Sequence, residues 1–216
     1  MHMWDVILFD LDGTVTDPKE GITKSAAHAL AHFGIQEDPD TLTYFIGPPL
    51  SETFQNSFGM TESQAKEAIT VFRQRYSTVG WAENVPYCGI AGCLSRLKAA
   101  GKILMIATSK AEPFAVKILK YFGLDVYFDL ICGPSLTDLT QSKADVIRRA
   151  LQQRNITDLS RAVMIGDRMH DIEGGHLAGI KTIGVLYGYG SREEHIQYEA
   201  DYIVENITDL EILLLS

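Results

Sequence analysis

Read only for apolar and polar positions, the chain alternates two patterns. Short, nearly unbroken apolar runs occur at Val6–Phe9, Ile103–Ala107, Leu130–Cys132, Ala162–Ile165, Thr182–Leu186 and Asp201–Val204. Between them, apolar residues recur at helical spacing over Ile90–Ala100, Pro113–Phe122, Lys143–Arg154, Ile172–Ala178 and Asp209–Leu214. A continuous apolar run suits a strand buried on both faces, and a 3.6-residue rhythm suits a helix laid against it. The pattern predicts an α/β fold, a doubly wound, Rossmann-like parallel sheet covered by helices. Gly101 and Gly123 stand where left-handed residues would end the first two helices.

Between the first two strands the rhythm changes. Residues 10–102 intervene there, instead of a single crossover. Asp17-Pro18 predicts a helix start, a capping acid with proline at the first helical position. Ile22, Ala26, Leu30 and Phe33 follow at helical spacing until Gly34. Asp38-Pro39 predicts another start, and Thr61-Glu62-Ser63-Gln64 is a capping box for a helix running towards Val79. Residues 17–83 are therefore expected to form an inserted all-helical cap, and residues 1–16 with 84–216 the Rossmann-like core. Because the insertion leaves and returns just past the first strand, it is expected to act as a lid over that strand's end. Residues 81–86 (WAENVP) are the expected hinge, and Ile46-Gly47-Pro48-Pro49-Leu50 is where any ligand specificity of the lid is expected to lie.

Composition narrows the partners. With 46% apolar and 22% charged residues the chain has the make-up of an ordinary globular protein, and its longest apolar runs fall far short of a membrane span. No basic stretch followed by a long apolar one opens it, so no secretory leader is expected. Cys88, Cys93 and Cys132 form no C-x-x-C pair and leave one over, which suits a reducing, cytoplasmic setting. A net charge of −9 disfavours nucleic acid as a partner but leaves room for a small phosphate in a local positive pocket.

The residues following each strand supply the candidate chemistry, since ligands of open α/β sheets bind beyond the carboxyl ends of the strands. Asp10, Asp12, Gly13 and Thr14 follow the first strand, Thr108, Ser109 and Lys110 the second, and Gly166, Asp167 and then Asp171 a later one. The loop after Cys132 delivers Lys143. Two acids one residue apart repel unless something positive sits between them. Asp10, Asp12 and Asp167 are hard oxygen ligands with no histidine or cysteine among them, which suits Mg²⁺ better than zinc. Thr108 can donate to a phosphate oxygen and Lys143 can offset its charge, although lysine in the first turn opposes the helix dipole by roughly 0.3–1 kcal/mol. Gly13 and Gly166 would let backbone N–H groups approach an anion.

FDLDGTVTD, ATSK, Lys143 and GDRMHD, in this order, resemble the four signature motifs of the haloacid dehalogenase superfamily of phosphohydrolases. DPKEGITKS, FIGPPL and GVLYGYGS resemble its phosphoglycolate phosphatase-like and bacterial 5′-nucleotidase-like branch, which has a helical cap after the first motif. The resemblance implies that Asp10 is the nucleophile that becomes an aspartyl phosphate, and that Asp12 protonates the leaving oxygen and later activates water. It implies that Thr108 and Lys143 hold the phosphate, with Gly13, Thr14 and Ser109 beside it. It implies that Asp10, the Asp12 carbonyl and Asp167 bind Mg²⁺ with support from Asp171. The implied substrate is a small phosphorylated metabolite or a nucleoside monophosphate.

Other readings fit less well. A calcium loop counted from Asp10 lacks its fifth-position acid and has Gly21 where glutamate is needed. His28 and His32 share a helix face without the intervening glutamate of a zinc protease, and a polar lid face is expected instead. GGHLAGIK has Ile180 where a phosphate loop cannot, so helix packing is expected to explain its glycines. Gly188 and Gly190 lack the third glycine of a dinucleotide fingerprint. Arg73 and Arg75 could meet a substrate from the lid. A phospho-aspartate signalling receiver uses a similar constellation but is about half as long and has no lid. A phosphomutase would share the whole scaffold.

Overall fold

In chain order the strands of the computed structural model are β1 (Val6–Phe9), the two-residue β2 (Thr16–Asp17) and β3 (Val85–Pro86), then β4 (Ile103–Ala107), β5 (Leu130–Cys132), β6 (Ala162–Gly166), β7 (Lys181–Val185) and β8 (Tyr202–Val204). The structure describes residues 4–136 and 141–216. Six of the strands form one parallel sheet in the order β5-β4-β1-β6-β7-β8. From β1 the chain fills one side with β4 and β5, then crosses to the other for β6, β7 and β8. That reversal makes the carboxyl end of β1 the switch point of a doubly wound sheet, where a crevice opens. Register aligns the strand ends there: Phe9 lies beside both Ile106 and Ile165. The Asp10 N–H donates to Ile165 O at 2.8 Å, and the Thr108 N–H to Cys132 O at 3.0 Å.

Helices cover the sheet because β1 is apolar on both faces. Val6, Leu8, Met105 and Met164 join Val146, Ile147, Ala150 and Leu151 of α6 (Lys143–Gln153) in one buried cluster. Each of the larger of these side chains, the Val, Leu, Ile and Met, contributes about 1.5–3 kcal/mol by leaving water. The other helices of this unit are α4 (Ile90–Ala99), α5 (Glu112–Tyr121), α7 (Met169–Ala178), α8 (Arg192–Gln197) and α9 (Ile207–Leu215). Gly101 and Gly123 follow α4 and α5 at φ of 78° and 65°, as the sequence predicts.

The chain divides into two compact units, one running to Asp17 and resuming at Pro86, the other Pro18–Val85. The smaller is all helical, with α1 (Lys19–His32), α2 (Leu50–Phe58) and α3 (Glu62–Thr78). The capping box of α3 is present: Gln64 N–H donates to Thr61 Oγ1 at 3.3 Å and Thr61 N–H to Gln64 Oε1 at 2.9 Å. Phe45 packs edge-on against Phe54 with ring centres 5.0 Å apart, so Phe45 and the buried Ile46 are core residues of this unit. Gly47 at φ 103° and the two prolines form the turn into α2. Among the described residues no helix is long and apolar enough to cross a membrane.

Two local expectations are corrected, and two helices went unpredicted. Asp17 does not cap α1; Pro18 occupies the cap without a side-chain hydrogen bond, and the Asp17 carboxylate accepts instead from the Tyr189 hydroxyl. Asp38-Pro39 opens only a 3₁₀ turn, Pro39–Thr41, followed by a second, Thr43–Phe45, and Gly47-Pro48-Pro49 stop the chain from continuing as a helix. The helices α2 and α8 escape the periodicity because they are short and bury little: Thr53 and Phe54 in α2, His195 in α8.

Candidate functional site

Three carboxylates meet beyond β1 and β6. Asp10, Asp167 and Asp171 each offer an oxygen within 4.8 Å of the others. Lys143 reaches into the same cluster, its Nζ 2.8 Å from Asp10 Oδ1 and 2.7 Å from Asp171 Oδ1, and it donates to Ala107 O at 3.2 Å. The sequence makes this reach possible in two ways. Ser142 and Asp145 form a capping box that starts α6 at Lys143, and Asp145 in the first turn offsets the lysine's cost against the dipole. Gly174 in α7 leaves space for the lysine stem: a Cβ there would lie 2.6 Å from Lys143 Cγ. Packing thus explains that glycine, and Gly175 likewise faces Thr182.

The electrostatics are those of a site short of positive charge. Burial, then repulsion from Asp171 and Asp10, pushes the Asp167 carboxyl well above the ordinary carboxylate range. Burial raises Asp171 to about 6, with the Lys143 ammonium pulling the other way. Burial would lower the Lys143 ammonium, but its ion pairs with Asp10 and Asp171 outweigh that and hold it above its ordinary value. Asp167 Oδ2 accepts from the Tyr189 N–H at 2.8 Å, while its buried Oδ1 has no hydrogen-bond partner among the described residues. Buried polar atoms are ordinarily bonded. An orphaned oxygen in an all-oxygen cluster fits a hard divalent cation such as Mg²⁺.

The Asp12 carboxylate lies outside this cluster, a correction to the grouping of Asp10, Asp12 and Asp167 as side-chain ligands. Its Oδ2 is 2.7 Å from Lys110 Nζ, and burial raises its pKa, partly offset by that ammonium. The cause is the turn after β1: Val15 and Thr16 N–H groups both donate to Leu11 O at 2.9 Å, and the reversal turns Asp12 towards Lys110. Asp171 takes the third place.

The same turn corrects the expectation for Gly13 and Thr14. Their N–H groups donate to Thr16 O at 2.8 Å and Leu11 O at 3.3 Å rather than facing an anion. Gly13 contributes its φ of 84° and its missing side chain, since a Cβ would lie 2.1 Å from Asp167 Oδ2. Gly166 serves Asp171 in the same way, at 2.1 Å from its Cγ. Gly13→Ala should therefore cost roughly 1–3 kcal/mol of stability from backbone strain and displaced carboxylate. It should also weaken divalent-ion binding; unchanged metal affinity by calorimetry would refute that account.

Thr108 is buried, its Oγ1 accepting from the Lys110 N–H at 3.2 Å, and Ser109 beside it is exposed. Sequence reasoning named Lys110 without giving it a role. It also passed over Tyr189, Glu194 and the reason for Gly188 and Gly190. A Cβ on Gly188 would lie 2.3 Å from Asp167 Cβ, and one on Gly190 1.8 Å from Asp167 O, so this loop must be glycine to pass Asp167. Glu194 accepts from Met169 N–H at 2.7 Å and Arg168 Nε at 3.0 Å, and the Arg168 N–H donates to Asp171 Oδ2 at 3.1 Å. The spacing G-x-G was the available signal; nothing local marked Glu194.

Within the smaller unit, His28 and His32 line a cavity of about 470 Å³ with Glu67, and His32 Nε2 is 2.8 Å from Glu67 Oε1. None of Asp10, Asp12, Thr108, Lys110, Lys143, Asp167 and Asp171 lines that cavity. Arg75 is ion-paired with Glu83 at 2.7 Å.

A family model described as haloacid dehalogenase-like hydrolase matches residues 7–185. Over 211 residues the chain is 40% identical to a Pseudomonas aeruginosa protein named 5′-nucleotidase, covering 97% of this chain and 95% of that one. It is 42% identical over 210 residues to a Mycobacterium tuberculosis protein named tyrosine-protein kinase PtkA, covering 96% of this chain and 70% of that one. Among solved structures, a predicted phosphatase from Clostridium acetobutylicum matches with a TM-score of 0.93 at 43% identity over 99% of each chain.

Proposed function

The chain belongs to the haloacid dehalogenase-like hydrolases and is a phosphatase, and from that premise we propose that it hydrolyses small phosphomonoesters with Mg²⁺ through a phosphate carried on Asp10. The observation that carries this reading is the meeting of Asp10 with Asp167, Asp171 and Lys143 at the switch point of the sheet.

In this mechanism Asp10 attacks phosphorus while Thr108 and Lys143 hold the phosphate oxygens and Ser109 lies at the mouth of the site. Asp12 gives a proton to the departing alcohol, then takes one from the water that cleaves the aspartyl phosphate. Mg²⁺ would be held by Asp10, Asp167 and the Asp12 carbonyl, with Asp171 in support; bound there, it supplies the charge that lets a dianionic ester approach several carboxylates. Unit 18–85 serves as the cap that selects the substrate, a small phosphorylated metabolite such as phosphoglycolate or a nucleoside monophosphate. The protein works in the cytoplasm, without nucleic acid or membrane as partner.

A panel of phosphomonoesters with Mg²⁺, scored by kcat/KM, tests the reading. Inorganic phosphate should appear in step with the alcohol; phosphate transferred to a second hydroxyl instead would favour a mutase or kinase. Asp12→Asn should separate the chemical steps, losing about 10²–10⁴-fold in turnover. Nitrophenyl phosphate, whose leaving group needs no proton, should give a stoichiometric burst and then stall with phosphate on Asp10. An alkyl phosphate should show no burst. Rapid-mix absorbance alongside intact-protein mass reads both, and absence of burst and phosphoenzyme in a variant that still binds Mg²⁺ removes Asp12 from the role.

A further inference from the structure

We infer that Lys110 is the positioning residue for Asp12, holding Oδ2 so that Oδ1 alone passes the proton in both chemical steps. The inference rests on the acid–base reading of Asp12 above and says how the fold enforces it. Two observations carry it. Lys110 Nζ lies 2.7 Å from Asp12 Oδ2, both side chains being largely out of solvent at 9% and 15% exposure. Asp12 Oδ1 is buried and has no hydrogen-bond partner among the described residues, which at a candidate site marks it as the atom awaiting a partner from outside the chain.

The chemistry of the ammonium decides which oxygen works. An ammonium has donors and no acceptor. Its bond to Oδ2 survives in both protonation states of Asp12 only if the proton resides on Oδ1. In the first step that proton goes from Oδ1 to the leaving oxygen as the P–O bond breaks and its electron pair stays on that oxygen. In the second, Oδ1 takes a proton from water as the water oxygen bonds phosphorus and the Asp10 carboxylate departs with the electrons of its P–O bond. Without Lys110 the carboxyl torsion is broad and two-fold, and either oxygen could face the substrate.

Lys110 is itself well anchored. Its N–H donates to Thr108 Oγ1 at 3.2 Å, which commits that oxygen as an acceptor there and leaves the hydroxyl proton for a phosphate oxygen. Its carbonyl lies against Gly133, where a Cβ would come within 2.4 Å. One residue thus sets both the acid and the phosphate-binding hydroxyl.

The test compares Lys110→Met, Lys110→Gln and Asp12→Asn, singly and combined, on alkyl and nitrophenyl phosphates. Lys110→Met should lower kcat by about 10- to 100-fold, the cost of misplacing a catalytic group, with KM little changed and a nitrophenolate burst like that of Asp12→Asn. Lys110→Gln, which keeps a donor without the charge, should fall between Lys110→Met and the parent, and it serves if the methionine variant does not fold. Added to Asp12→Asn, Lys110→Met should cost no more than about twofold further, because it acts through the group already lost. Parental kcat in folded Lys110 variants, losses that multiply with Asp12→Asn, or a rise in KM alone would each overturn the inference. Parental turnover in Asp12→Asn would instead overturn the reading on which it rests.

Discussion

Asp10→Asn should lose turnover by on the order of 10⁴-fold or more while the fold persists, the scale on which removing a covalent nucleophile acts. An amide oxygen is a far poorer nucleophile than a carboxylate and a weaker ligand for a hard cation. The structure gives reason to expect that stability is kept. Asp10, Asp167 and Asp171 bring three carboxyl groups together against one Lys143 ammonium. Neutralising Asp10 relieves repulsion on Asp167 and Asp171, and the asparagine oxygen can still accept from Lys143. The melting temperature without metal should therefore hold or rise while turnover and phosphoenzyme both vanish. Activity within tenfold of the parent would take Asp10 out of the mechanism.

Chelation should abolish turnover, and Mg²⁺ should stabilise the larger unit as well as activate it. A ligand that binds only the folded state adds about 2.7 kcal/mol at a hundredfold excess over its dissociation constant. That corresponds to roughly 5–10 °C in melting temperature for a chain of this length. The sign follows from the site: a cation at the Asp10–Asp167–Asp171 cluster opposes the burial and the repulsion that raise Asp167, and gives the orphaned Asp167 Oδ1 a partner. Asp167→Asn should remove the metal-induced shift without lowering the metal-free melting temperature. Calcium should also shift the melting temperature yet support little turnover, because its looser coordination would misplace the reacting carboxylate. Full turnover in excess chelator would refute the assignment, as would a melting curve indifferent to Mg²⁺.

Much of the architecture is local information. The strands β1, β4 and β5 coincide with apolar runs visible in the chain, and the capping box at Thr61 is written in adjacent residues. A strand's burial on both faces and a helix's rhythm are properties of neighbouring residues, so they can be read before anything is folded. The parallel order follows almost as directly, since strands alternating with helices leave few other packings. The same logic placed Asp10, Thr108, Lys143 and Asp167 at strand ends and helix starts.

What the chain alone could not decide was which of these side chains turn towards one another. Asp12 and Asp171 were both candidates for the carboxylate cluster, and the turn from Leu11 to Thr16 sent one to Lys110 while α7 brought in the other. Asp17 reads as a helix cap from its neighbour Pro18, yet its carboxylate is taken by the hydroxyl of Tyr189, from the far end of the chain. Gly13 looked like an anion-binding backbone and proved to be a clearance for Asp167, as Gly188 and Gly190 are. These outcomes depend on register across β1, β4 and β6 and on the close approach of segments remote in sequence. Propensity and periodicity record what a residue prefers among its neighbours, and a buried ion pair or a missing Cβ is settled only when distant elements compete for the same space.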